Sequence, residues 1–260
     1  MESSNSFLDL KFRDEFHSAA SENLEAFWTH FAEDGNAVWS VAQKSSQIID
    51  HCLSKTNDSR KVNLLTLMRS TLSDVLYALY CTELGFVRCV TVNLRAIQES
   101  YASVYQFAHD EEAYKAYMSN TYKSTDAISF YESHKNQNDK RLFGKLYGLL
   151  TNEVHFSVKA HLGRLVTQTE NGKKRWTHLK EISLQDPIFI AASMMACAHT
   201  ARELGCLAEE VCLDENITNY FWQKTDSGYL EDKNTKIDIL IQRMLSKFRK
   251  ILNQIGIDVT

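Results

Sequence analysis

Residues 62–108 read VNLLTLMRSTLSDVLYALYCTELGFVRCVTVNLRAIQESYASVYQFA. Apolar residues recur through this stretch at helical steps, and its only glycine, Gly85, falls near the middle. The spacing predicts two helices, 62–83 and 86–108, joined by a connection so short that they must pack as an antiparallel hairpin. In the second, Val90, Leu94, Ile97, Tyr101, Val104 and Ala108 follow alternating steps of four and three and form one stripe. The opposite side holds Cys89, Val92, Ala96 and Ser103, so this helix is expected to be apolar nearly all round and central in the fold. Embedded in that back are Arg95 and Glu99, four residues apart and therefore neighbours on one face.

Working outward, residues 9–32 and 36–54 read as two amphipathic helices, with Gly35 and Asn36 of AEDGN as the stop between them. Residues 110–134 carry a tyrosine-rich helical pattern, and SHKNQNDK is a polar loop. Asn171-Gly172 separates two β-compatible runs, which predicts a two-stranded ribbon at about 162–169 and 174–180. Pro187 then opens a long apolar helix, consistent with the tolerance for proline in a first turn. Residues 214–235 are polar and read as mostly irregular, and 235–255 form a last amphipathic helix.

Composition agrees with this pattern. The 260 residues are 44% hydrophobic, ample for a core, with one proline and nine glycines to interrupt helices. The expected architecture is an all-α bundle of seven or eight helices in one domain, 1–260. It divides into N-terminal helices (1–58), a core (59–160), a β-hairpin (161–182) and C-terminal helices (183–260). A formal charge of −4 argues against generalised binding to nucleic acid or anionic membrane. No apolar run of membrane-spanning length and no signal-type N-terminus is present, so a soluble, cytoplasmic protein without membrane contact is expected. The six cysteines include no CxxC pair and read as reduced core thiols.

The polar residues that could carry chemistry gather on a predicted helix at 140–157, which contains KLYGLLTNEVHFS (145–157). Phe143, Leu146, Leu150 and Val154 make an apolar stripe; Gly144, Gly148, Thr151 and His155 make a second, with Tyr147 between. Two glycines on one helical face each cost about 1 kcal/mol relative to alanine, which calls for close approach of a backbone or a ligand. One reading is a polar pocket facing Arg95 and Glu99, with His155 transferring protons, Arg95 holding an anion, and Glu99, Tyr147, Thr151 and Asn152 binding. The other is a buried network in which these groups satisfy one another.

NLRAIQESY (93–101) followed by YGLLTNEVHFS (147–157) resembles an uncharacterised family of bacterial all-helical proteins with the pattern Arg-x3-Glu, then Tyr-x3-Ser/Thr-x3-His. The resemblance covers about residues 60–160 and implies a shared helical core, with Arg95, Glu99, Tyr147, Thr151 and His155 as the matching positions. More distantly, the chain is similar to HEPN-type helical ribonucleases of toxin and phage-defence systems, which implies cleavage of RNA by an Arg and a His. The sequence departs from their motif: Arg13 with His17 and Arg175 with His178 are spaced too closely, so Arg95 and His155 would have to meet from different helices.

Other chemistries lack their residues. Glu132-Ser133-His134 and Glu153-Val154-His155 place their pairs two apart, pointing away from each other on a helix, and no Glu-x-x-His motif exists. No GxGxxG, P-loop or GxSxG element occurs, and neither metal nor cofactor is expected. KKRW (173–176) reads either as a grip on RNA phosphate or as a solvated turn. Leu240, Met244, Phe248 and Ile251, opposite Lys247, Arg249 and Lys250, either close the bundle or dock a protein partner or a second copy of the chain. The leading expectation is a cytoplasmic helical module of a bacterial defence or stress system that binds a protein partner or small ligand. The alternative is a metal-independent ribonuclease using His155 and Arg95.

Overall fold

Every residue from Thr200 to Glu209 is buried, and the helix that carries them is the axis of the fold. The computed structural model describes residues 5–134, 165–170, 173–178, 187–215, 217 and 219–254. Seven α-helices run through the described residues: α1 (Asn5–Lys55), α2 (Ser59–Glu83), α3 (Val87–His109), α4 (Glu111–Met118), α5 (Ala127–His134), α6 (Pro187–Val211) and α7 (Lys236–Gln254). Two antiparallel hairpins accompany them, β1 (Leu165–Glu170) with β2 (Lys173–His178) and β3 (Trp222–Thr225) with β4 (Gly228–Glu231). The architecture is thus the all-α bundle with an inserted hairpin that the periodicity predicts. No helix among the described residues is long and apolar enough to cross a membrane.

Local signals account for most boundaries. Asp58 caps α2 by accepting the backbone N–H groups of Arg60 and Lys61. At the other end Gly85 takes φ 74°, and the N–H of Phe86 reaches back to the carbonyl of Cys81 while that of Gly85 bonds Thr82. This paired closure turns the chain sharply enough to start α3 at Val87, giving the expected hairpin. Pro187 stands at the first position of α6, where its missing N–H costs nothing. Thr235 and Asp238 bond each other's backbone N–H groups (3.2 and 3.1 Å) and so begin α7.

The core lies where α1, α2, α3 and α7 pack on α6. Val90, Leu94, Ile97, Tyr101 and Val104 face it from α3, as their stripe predicts. The expectation that α3 is central is corrected: Cys89 and Ala96 on its back are exposed and Val92 is 42% exposed. Small apolar side chains on one face of a helix do not need burial, because each adds little area. The central helix is α6.

Two further expectations are refined. The expected break between two helical stretches is present, but it is a kink at Phe31 (φ −124°, ψ 15°), and the helix runs on through Gly35 and Asn36. Gly35 is there for room, since a Cβ would meet Phe27 at 3.0 Å. Residues 214–235, read as polar and mostly irregular, also hold two short strands, β3 and β4, paired from Trp222↔Glu231 to Thr225↔Gly228. On α7 Ile237, Ile241 and Met244 are buried and Leu240 is half-buried, while the side chains of Phe248 and Ile251 lie outside the described ones.

The ribbon predicted around Asn171-Gly172 is present in antiparallel register, Leu165↔His178 through Glu170↔Lys173. Asn171 and Gly172 themselves lie outside the described residues.

Candidate functional site

Arg95 and Glu99 stand one turn apart on α3 and pair with each other, Nη2 to Oε1 at 3.2 Å, both half-buried. Tyr147, Thr151, Asn152 and His155, with Gly144 and Gly148, lie outside the described residues. The structure therefore brings together two of the six predicted residues, Arg95 and Glu99. What the described residues add is a charged core that sequence reading missed, and a cleft whose wall that core holds in place.

The core centres on Arg202 of α6, whose side chain is only 7% exposed. Its Nη1 lies 2.7 Å from Glu203 Oε1 and 2.7 Å from Glu231 Oε1, and its Nε donates to Asp238 Oδ1 at 3.0 Å. The guanidinium also lies 5.0 Å over the Phe221 ring. Burial works against the charge of Arg202, but Glu203, supported by Glu231 and Asp238, outweighs it and holds the group above its ordinary value. Tyr101 of α3 extends the chain of contacts by donating its hydroxyl to Glu203 Oε2 at 3.2 Å. One side chain thereby ties α6 to β4 and to the first turn of α7.

The segment leading into β3 is fastened to α6 in a second way. Glu209 accepts the backbone N–H groups of Tyr220 and Phe221, and Trp222 Nε1 donates to the Cys206 carbonyl at 3.0 Å. Burial pushes the Glu209 carboxyl up, while the backbone bonds pull in the opposite direction. Such a carboxylate replaces solvent for two buried donors, which is a structural task.

With its first turn anchored by Arg202, α7 runs beside α1 and leaves a cleft of about 410 Å3 against it. Ala37, Leu240 and Met244 supply the apolar floor, and Glu33, Asp34, Arg243 and Lys247 supply charge. Lys247 Nζ bridges the walls, 2.9 Å from Asp34 Oδ1 and 3.2 Å from Glu33 Oε2. The hydrogen bond to Asp34, with help from Glu33, raises Lys247 above its ordinary value against partial burial. Behind the bridge a smaller apolar cavity of about 60 Å3 is lined by Phe31, Ala191, Met194 and Met195, and it shares Asp34, Met244 and Lys247 with the cleft. The irregular backbone at Phe31 thus lies where α1 meets this inner space.

A cleft of this volume with an apolar floor and a few convergent charges has the character of a small-molecule site. Some signals for these features were in the sequence. The TKID run at 235–238 has the spacing of a capping box, and Arg243 and Lys247 stand four apart on one face. Nothing local announced that Lys247 would meet carboxylates at Glu33 and Asp34.

Comparison with models of known protein families, with curated protein sequences and with solved structures found no match to this chain.

Proposed function

We propose that the chain is a helical binding module whose ligand occupies the cleft between α1 and α7. The observation that carries this reading is the cleft itself, about 410 Å3, apolar at its floor and charged on both walls, beside a methionine-lined space that shares Asp34, Met244 and Lys247 with it. Methionine side chains repack at little cost, which suits a space that must widen around a guest. Action in the bacterial cytoplasm, within a defence or stress system, belongs to the same proposal and rests on the family resemblance at 93–101 and 147–157. The alternative, a ribonuclease, needs Arg95 and His155 side by side, and His155 lies outside the described residues.

The test is a thermal-shift screen of a metabolite library against the wild type and Ala37→Trp, which fills the floor of the cleft. A true ligand at a hundredfold excess over its Kd stabilises the wild type by about 2.7 kcal/mol. Ala37→Trp should fold and lose that shift. A hit that shifts both proteins equally, or a library without hits, overturns the reading.

A further inference from the structure

The charges of the cleft are arranged by wall. Glu33 and Asp34 belong to α1, and Arg243 and Lys247 belong to α7, so the two walls carry opposite sign and sum to zero. Lys247 neutralises one of the two carboxylates, which leaves one negative charge in excess on the α1 wall and, among the described residues, Arg243 without an ion-pair partner on the α7 wall, so a ligand carrying both charges matches both. We infer that the cleft takes a small zwitterion, an α-amino acid with an apolar side chain, its ammonium on the Glu33/Asp34 wall, its carboxylate on Arg243 and its side chain in the inner cavity. This inference rests on the cleft being the binding site.

Three observations support it. An ammonium is already held between the two carboxylates, that of Lys247 at 2.9 and 3.2 Å, so the α1 wall has the geometry an amino group requires. Lys247 is about half exposed on a flexible stem and can give way. Arg243, one turn earlier on the same face of α7, has no ion-pair partner among the described residues and presents a planar fork suited to a carboxylate. Beyond Asp34, the space lined by Phe31, Met194 and Met195 is apolar and, at about 60 Å3, of side-chain size. An α-amino acid carries its ammonium, carboxylate and side chain on one carbon, which is the arrangement needed where two charged walls converge on an apolar recess.

Titration calorimetry with leucine, isoamylamine, isocaproate and glycine separates the contributions. Leucine should bind the wild type; isoamylamine, lacking the carboxylate, isocaproate, lacking the ammonium, and glycine, lacking the side chain, should each bind at least about tenfold more weakly. Arg243→Ala should reduce leucine to the affinity of isoamylamine and leave isoamylamine unchanged; Arg243→Gln serves the same purpose should the alanine variant express poorly. If isoamylamine or isocaproate matches leucine, or if Arg243→Ala binds leucine as the wild type does, the zwitterion is overturned. If none of the four binds the wild type, the zwitterion is likewise overturned, and the library screen against Ala37→Trp decides separately whether the cleft binds anything. Leucyl-glycine as a fifth titrant distinguishes a free amino acid from a peptide N-terminus: tighter binding of the dipeptide overturns the free amino acid as the ligand.

Discussion

Ser45 of α1 and Gly205 of α6 meet where the two helices cross, so closely that a Cβ on Gly205 would lie 2.9 Å from Ser45 Oγ and 3.1 Å from the Phe221 ring. The crossing joins the longest helix of the described residues to the central one, and its geometry depends on the absence of a single methyl group. Gly205→Ala should destabilise the protein by up to about 2 kcal/mol, an overpacking cost of about 1–3 kcal/mol offset in part by the roughly 1 kcal/mol that alanine gains over glycine inside a helix. Ser45 Oγ is buried with no hydrogen-bond partner among the described residues, so Ser45→Ala alone should leave Tm unchanged or slightly raised. The double variant should lose less than Gly205→Ala alone, as measured by thermal and urea unfolding. A Gly205→Ala protein as stable as the wild type would show that the helices separate freely at this point.

Arg202 pairs with three carboxylates, Glu203, Glu231 and Asp238. Removing it leaves buried negative charge without its partner, and Arg202→Met should cost about 3–5 kcal/mol. Because Asp238 also closes the capping box of α7, the loss should spread along that helix. Hydrogen exchange of amides in 236–254 should rise more than exchange in α2. Uniform acceleration in both helices would contradict the clamp assigned to this side chain.

Glu83 is buried at the end of α2 and accepts Trp39 Nε1 at 2.6 Å. Burial pushes its carboxyl above the ordinary 4.5, and the bonds from Trp39 and Trp28 offset this only in part. The folded chain therefore holds this proton more tightly than the unfolded chain does. The stability that this contributes is complete below the unfolded value and is lost as pH rises through the folded one. Glu83→Gln keeps an acceptor for the indoles and cannot ionise. Its stability relative to the wild type should increase between about pH 4 and about pH 7. Parallel urea midpoints across that range would remove Glu83 from the account.

Cys52, Cys81, Cys197, Cys206 and Cys212 are buried and Cys89 is exposed. The hydrogen bond between the thiols of Cys52 and Cys212 raises Cys52, with burial adding to it, and lowers Cys212 against the effect of its burial. Reactivity follows access as well as thiolate character. Ellman's reagent should label Cys89 rapidly in the native protein and the buried thiols only on unfolding. Cys89→Ala should abolish the fast phase. A fast phase that survives this substitution would mean that another thiol reaches solvent.

Helices and hairpins were legible in the sequence wherever the information was local. The apolar stripes of 62–108, proline at position 187 and Asn171-Gly172 between two extended runs each specify an element through the conformational preferences of a few adjacent residues. The Asp-Ser-Gly signal at 226–228 was of the same kind, but the polarity of 214–235 masked it, because both strands of that hairpin face solvent along most of their length. Of the site residues, Arg95 and Glu99 were legible as helix neighbours, since a separation of four defines a face.

What only the tertiary structure decided is which faces meet. Val92 and Ala96 on one helix and Arg202 and Glu203 on another carry no local mark of exposure or burial, yet the apolar pair lies on the surface and the charged pair in the core. Lys247 pairs with carboxylates more than two hundred positions away. A charged residue in an amphipathic pattern reads the same whether water or a buried counter-charge solvates it, because the difference lies in the element packed against it. Sequence periodicity determined the helices of this protein; the packing of α7 against α6 and α1 determined its cleft.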